Sequence, residues 1–359
     1  TCALPISSRK RQINNQLKKL FNVLKYLLVL AIGLLLLWLV YRNIDKDNLV
    51  KGLKNANYFW VILALFIALL GHISRGRRWA LLIEPLGKKV STWRAFLAVM
   101  FGYLANLALP RMGEVSRCVA LNRTDKIPLN KLIGTVIVER GFDFIMLITI
   151  TSVSFLIAFN QVKTYLYRSL NYLNDKYSNF FSITSIVVAI VVILAFITLL
   201  ILIKRSKRDF KKHPFYIKIR DIVSGFGAGI KTIIHLERKW EFVFHTLFIW
   251  TTYFLMTYLI FFAFQPTSDL GPLAGLIVMT IGSLGFIMPV QGGVGTYHYA
   301  AQKALEIYEI QPEDGAVYAL IAHSSQTLML IIIGVIAFFI LATIQKSVKN
   351  EPQQNNQKQ

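Results

Sequence analysis

The chain has 359 residues, 55% of them hydrophobic and only 16% charged, yet it carries a net charge of +22. Disorder over most of the length is excluded, because it needs low hydrophobicity, and a basic soluble nucleic-acid binder would not carry this much apolar surface. Two cysteines, Cys2 and Cys118, make neither a disulfide framework nor a four-ligand zinc site on their own, which leaves a polytopic membrane protein with its positive charge in the loops.

A basic N-terminal segment covers 1–22, and a domain predicted to lie in the membrane covers 23–344. Apolar runs near 20 residues read as spanning helices. They fall at 23–41, 58–74, 133–160, 183–203, 243–264 and 315–344. The first is too long for a signal-peptide core and has no small-residue cleavage site after it. Two other apolar stretches differ. Residues 95–110 hold Gly102 and Asn106 and stop at Pro110; residues 273–289 hold Gly275, Gly282 and Gly285 and stop at Pro289. Between 204 and 241 a basic cluster leads into Phe215, Ile219, Ile222, Val223, Phe226, Ile230, Ile233 and Ile234, spaced by three and four. That is an amphipathic helix suited to the anionic cytoplasmic leaflet, although charge that merely sets orientation explains it equally well. The tail 345–359 is polar and reads as disordered.

Loop charge sets the orientation. With six crossings, and with 95–110 and 273–289 each returning to its own side, 31 of the 40 Lys and Arg residues lie on one face and 8 on the other. Making both short stretches full crossings would invert the middle of the chain and misplace 16 of them. The expected fold is therefore an all-α polytopic membrane protein. It has about six spanning helices and two re-entrant elements, and both termini are cytoplasmic. One re-entrant element enters from each face, and each leads into a polar turn, 109-LPRMGEVSR-117 or 288-MPVQGGVGTYH-298. Paired broken segments in two halves point to an inverted repeat with a polar cavity near the midplane; two amphipathic surface hairpins are the plainer alternative.

Ionisable residues inside the membrane are costly and mark candidate sites. Glu139, Arg140 and Asp143 share one turn of a spanning helix, where they line a cavity or form a structural ion pair. Arg75, Arg77 and Arg78 follow the second span; arginines at a helix end usually anchor the interface, but three in four positions cover more than one face, so that one could point inward. Arg111, Glu114 and Arg117 are spaced by three and would form a stripe on a helix beginning after Pro110. Two arginines around one carboxylate suit a headgroup of mixed charge, because arginine binds phosphate bidentately. Gly292, Gly293 and Gly295 permit a tight turn, and a helix starting near Thr296 would offer an anion site at its N-terminus. His72, His298 and His323 each read as packed histidines. No metal, cofactor or nucleophile motif is legible.

Taken together these residues resemble the membrane domain of lysylphosphatidylglycerol synthases and its stand-alone relatives, the flippase-like integral membrane proteins. The resemblance rests on Arg75-Gly76-Arg77-Arg78-Trp79, on Asn106 to Arg117, on Glu139-Arg140-Gly141-Phe142-Asp143 and on Pro289 to Gly295. Two positions depart from the family pattern. His298 stands where an acid is expected, and His323 where the last span commonly carries an arginine. Full-length synthases continue into a soluble transferase domain, whereas this chain runs into its polar tail, so a stand-alone membrane domain is expected.

The resemblance implies a lipid transporter of a bacterial inner membrane and no enzymatic activity. Arg75, Arg78, Arg111 and Arg117 would meet a lipid phosphate, and Asn106 and Glu114 would sit beside them. Glu139, Arg140 and Asp143 would line the passage, and the Gly292–Gly295 turn, with His298 and His323, would receive the headgroup from the other face. The alternative is the membrane subunit of a lipid- or glycan-modifying transferase working with a separate soluble catalytic protein. No cofactor and no nucleic-acid partner is expected.

Overall fold

In the computed structural model, residues 30–42, 44–109, 111–171, 236–288 and 290–355 are described. The expected 183–203 span, the N-terminal segment 1–22 and nearly all of the amphipathic segment lie outside them. The described backbone is helical, without strands. In chain order the helices are α1 (Leu30–Tyr41), α2 (Lys46–Lys54), α3 (Tyr58–Ile83), α4 (Thr92–Ala108), α5 (Gly113–Asp125), α6 (Leu129–Ile157), α7 (Lys239–Phe261), α8 (Pro272–Ile287), α9 (Thr296–Glu306) and α10 (Pro312–Asn355). Helical backbone also covers 159–171. Among the described residues four helices are long and apolar enough to cross a membrane: α3, α6, α7 and α10.

Local chemistry explains most boundaries. Asp45, Asn57 and Ser91 cap α2, α3 and α4 by accepting hydrogen bonds from first-turn amides. α4 and α8 both stop one residue before an X-Pro step. Leu109 (φ −140°, ψ 122°) and Met288 (φ −59°, ψ 133°) take the extended backbone that a following proline imposes.

Beyond each proline the chain folds back. α5 packs antiparallel on α4: Arg94 at the start of α4 lies 3.0 Å from Asp125 at the end of α5. The turn is held by the Gly113 amide, which donates to Asn106 Oδ1 at 2.7 Å. A Cβ on Gly113 would lie 2.3 Å from the Gly102 carbonyl oxygen, so only glycine fits there. α9 folds back on α8 in the same way, with Gly285 against Thr296 and Ala300, and the Phe286 and Tyr297 rings in tilted contact, centroids 5.1 Å apart. Each of the two short apolar stretches is thus the first arm of a helical hairpin.

The two hairpins sit in matched surroundings. Long helix, hairpin, long helix describes both α3–α4–α5–α6 and α7–α8–α9–α10. α3 and α7 pack antiparallel along much of their length, from Trp60 on Phe262 to Arg78 on Thr246. Each hairpin's first helix packs on the last helix of the other half, α4 on α10 and α8 on α6. The tips meet: a Cβ on Gly292 would lie 2.6 Å from the Leu107 side chain. α1 closes over the second tip, with Gly33 against Val290 and Gly295. The outer surface stays apolar; Ile137, Phe144, Ile148, Leu156, Phe244 and Phe339 are exposed and suited to lipid contact.

Three boundaries differ from expectation. α3 continues nine residues past 74, so Arg75, Arg77 and Arg78 lie in its last turns rather than in a loop. α10 runs on to Asn355 through residues whose composition reads as disordered; no glycine interrupts it after Gly334. The predicted loop 42–57 contains the short helix α2, whose Gly52 packs on Val317 and Phe264.

Candidate functional site

Four arginines from three helices converge on two carboxylates of α6. Roughly 15 Å separates Glu139 from the start of α6, and Arg75 and Arg78 lie about 10 Å from the end of α3. The cluster is therefore buried toward one end of the bundle. Glu139 is fully buried, and Arg75, Arg78 and Arg117 are at most 4% exposed.

Glu139 is the hub. Its Oε1 accepts from Arg140 Nη2 at 2.8 Å, Arg75 Nη1 at 3.2 Å and Arg78 Nη2 at 3.4 Å, and its Oε2 lies 2.9 Å from Arg117 Nη1. Asp143 is the second acceptor, 2.6 Å from Arg78 Nη2 and within 3.3 Å of Arg75 and Arg140. Burying so much charge is tolerable because each of the two carboxylates meets several arginines, four at Glu139 and three at Asp143. The stretch of α3 that carries Arg75 and Arg78 stays helical and buried for the same reason.

Neighbouring side chains fix the guanidinium planes. Tyr253 of α7 accepts from Arg75 at 2.9 Å, and Thr246 accepts from Arg78 at 3.4 Å. Trp79 lies beneath Arg117, whose Cζ is 4.6 Å from the ring centroid, and its indole N–H donates to Thr135 Oγ1 at 2.9 Å. Arg77 points away from the cluster, to Glu241 at 2.6 Å and Glu84 at 3.6 Å.

A narrow, partly open cavity of about 20 Å³, room for roughly one water molecule, adjoins the cluster. Its walls include Gly102, Tyr103, Asn106, Glu114, Arg117 and Arg140. Arg140 is 42% exposed and is the most accessible of the four arginines. Two polar atoms in this wall are buried without a hydrogen-bond partner, Arg117 Nη2 and Glu114 Oε2. Counting Glu114, arginines still outnumber carboxylates by four to three. The wall can therefore accept an anionic group on Arg117 and Arg140, with a hydrogen-bond acceptor at Glu114 beside it.

The comparisons with known proteins agree on what this arrangement belongs to. Residues 26–334 match the family described as the lysylphosphatidylglycerol synthase TM region. The chain belongs to this family. A UPF0104 membrane protein of Methanocaldococcus jannaschii is 25% identical to this lysylphosphatidylglycerol synthase TM-region chain over 330 residues, covering 89% of it and 96% of the relative. No solved structure matches.

Of the residues singled out from the sequence, the structure brings together Arg75, Arg78, Asn106, Glu114, Arg117, Glu139, Arg140 and Asp143. It leaves out Arg111, which lies in the turn before α5 with φ +63°, so the expected Arg111–Glu114–Arg117 stripe loses its first member. α5 begins three residues beyond Pro110, and that offset removes Arg111 from the helix. Gly292, Gly293, Gly295, His298 and His323 form a separate group at the second tip. There α9 does start at Thr296, but the Gly295 amide is taken by His298 Nδ1, and a Cβ on Gly295 would overlap the Gly33 carbonyl of α1. The Gly295 amide is therefore not free to meet an anion, and α1 packs over this end of α9.

Tyr253, Thr246 and Tyr103 were missed. They sit in apolar or neutral runs with no local signal, and only the packing of α7 and α4 against α3 brings them in. Trp79 was visible as part of the Arg75–Trp79 motif, but its role beneath Arg117 was not.

Proposed function

We propose that this membrane protein moves a lipid with an anionic headgroup across the bilayer, along a groove between its two hairpins. The observation that carries the reading is Arg117 Nη2, a buried guanidinium nitrogen without a partner in the wall of a cavity that it shares with Arg140. A buried donor of this kind is uncommon unless something binds it, and arginine pairs bind phosphate oxygens with defined geometry. Acyl chains stay in the surrounding lipid, and only the headgroup enters.

In this reading the hairpins are re-entrant, one from each face, and the two matched halves form an inverted repeat. α4–α5 presents the cationic wall on the face that carries most of the loop charge, which is the cytoplasmic one, with both termini on that side. α8–α9 closes the route where Gly292 meets Leu107. Transport then requires the tips to part. The protein acts mechanically, in the way of transporters whose broken helices surround a midplane site.

Binding can be tested separately from movement. Thermal unfolding of the purified protein is followed while short-chain phosphatidylglycerol or short-chain diacylglycerol is titrated in. A ligand at about 100 times its Kd stabilises by roughly 2.7 kcal/mol. Phosphatidylglycerol is expected to raise the melting temperature and diacylglycerol not to. The double substitution Arg117→Gln with Arg140→Gln is expected to abolish the difference. Equal shifts with both lipids, or none with either, would contradict the reading.

A further inference from the structure

The second hairpin tip contains a pair of buried histidines that the arginine–carboxylate cluster does not use. His298 on α9 is 3% exposed and His323 on α10 is 7% exposed, with ring centroids 4.7 Å apart. Their partners define which nitrogens carry hydrogen. His323 Nε2 lies 2.8 Å from the Gly292 carbonyl oxygen, which can only accept, so Nε2 is the donor. Thr327 Oγ1 lies 3.4 Å from His323 Nδ1. His298 Nδ1 accepts the Gly295 amide hydrogen at 3.3 Å, so Nδ1 is bare and this ring is neutral. The contact is the reciprocal half of a capping box, in which the third residue of a helix reaches back to the residue that caps it. The remaining groups facing the two rings are Tyr41 from α1, Phe286 from α8 and Tyr297 beside His298; Tyr41 and Tyr297 are the titratable ones.

We infer that His298 is a proton-binding site that locks the second hairpin tip when neutral and releases it when charged. The second proton of an imidazole goes to its bare nitrogen, here Nδ1. That places an N–H against the Gly295 N–H and replaces a hydrogen bond with a repulsion. The charge also falls in the first turn of α9, where the helix dipole disfavours a cation, and beside the His323 ring. The charged ring therefore fits only a tip that has moved. Gly295 is fixed at φ +79° between His298 and the Gly33 carbonyl, and Gly292 at φ +56° against Leu107. Losing the His298 contact frees the turn at the point where the two hairpins touch. His323 differs, because a proton on its Nδ1 meets the Thr327 hydroxyl, which can rotate to accept. Histidine is the side chain whose ordinary titration range makes such a device responsive near neutral pH.

The test is hydrogen–deuterium exchange of the 290–299 amides in the purified full chain at pH 8 and pH 5.5, with rates normalised to the intrinsic rate at each pH. Wild type is expected to lose protection by about tenfold at pH 5.5, the effect of losing one backbone hydrogen bond. His298→Asn places Oδ1 where Nδ1 accepts and cannot titrate, so it is expected to be equally protected at both values. His323→Gln keeps a donor for the Gly292 carbonyl and is expected to retain the wild-type response. Unchanged protection in wild type, a wild-type pH response in His298→Asn, or loss of the response in His323→Gln would each overturn the assignment. The readout involves no lipid, so failure of the transport reading leaves this inference standing, and the reverse holds as well.

Discussion

Replacing Glu139 by Gln keeps the shape of the hub and removes its charge. Four guanidinium nitrogens lie 2.8–3.4 Å from its two oxygens. At an effective dielectric near 20, each such attraction is worth about 4 kcal/mol before desolvation is subtracted. Removing one partner of a buried ion pair costs about 3–5 kcal/mol net, because the opposite charges stay buried and uncompensated. Here the loss leaves four arginines facing Asp143, with Glu114 nearby. At about 2 °C per kcal/mol, a value at the low end for smaller domains, the apparent melting temperature in detergent should fall by roughly 6–10 °C. The double substitution Glu139→Gln with Arg117→Gln removes one charge of each sign and should recover at least half of that fall. A Glu139→Gln protein within about 1 °C of wild type, or a double variant whose loss equals the sum of the two singles, would refute the idea that the cluster is one coupled unit.

Arg140→Gln changes a guanidinium that is 42% exposed, so its stability should move by less than about 1 kcal/mol; lipid-dependent stabilisation should nevertheless weaken, as read by the phosphatidylglycerol titration. Gly113→Ala should destabilise the first hairpin by roughly 1–3 kcal/mol, because its Cβ meets the Gly102 carbonyl oxygen and the Asn106 side chain. Gly134→Ala is the matched control in the second turn of α6, where a Cβ meets nothing within 4 Å; it should be neutral or stabilising by up to about 1 kcal/mol. Both glycine variants can be read by the same thermal melt. Trp79→Leu should cost stability by removing the ring beneath Arg117 and leaving Thr135 without its indole donor, whereas Trp93→Leu, at a residue 55% exposed, should change little.

The hairpins were legible because their signals are local. Proline ends α4 and α8, and the glycines that admit the returning helix lie within the same stretch. The end of α3 was not legible. Arginines read locally as leaving the membrane, and the carboxylates that neutralise Arg75 and Arg78 lie 64 and 65 residues further on, in α6. The cluster's members were visible one helix at a time, since each ionisable residue stands out against an apolar run. Their convergence was not, because the antiparallel packing of α3 with α6 and α7 decides it. Tyr253 is 178 residues from the arginine it serves.

Arg111 shows the opposite failure. Spacing of three placed it on a face with Glu114 and Arg117, but the turn after Pro110 needs two more residues before α5 begins. The glycine run at 292–295 misled in a related way. Its turn geometry was anticipated, yet the Gly295 amide, which appears free in a sequence, is taken by His298, and Gly295 lies against α1, a helix more than 250 residues away in the chain.

The most direct test of the central claim is transbilayer movement in proteoliposomes that carry a headgroup-labelled fluorescent phosphatidylglycerol in both leaflets. A membrane-impermeant quencher is added outside, and the fraction bleached is followed in time. Wild-type protein should carry bleaching well past the half expected for a sealed bilayer without transport, and Arg117→Gln with Arg140→Gln should return it to that half. Bleaching that stops at half with wild-type protein, for this lipid and for others of different headgroup, would contradict the account.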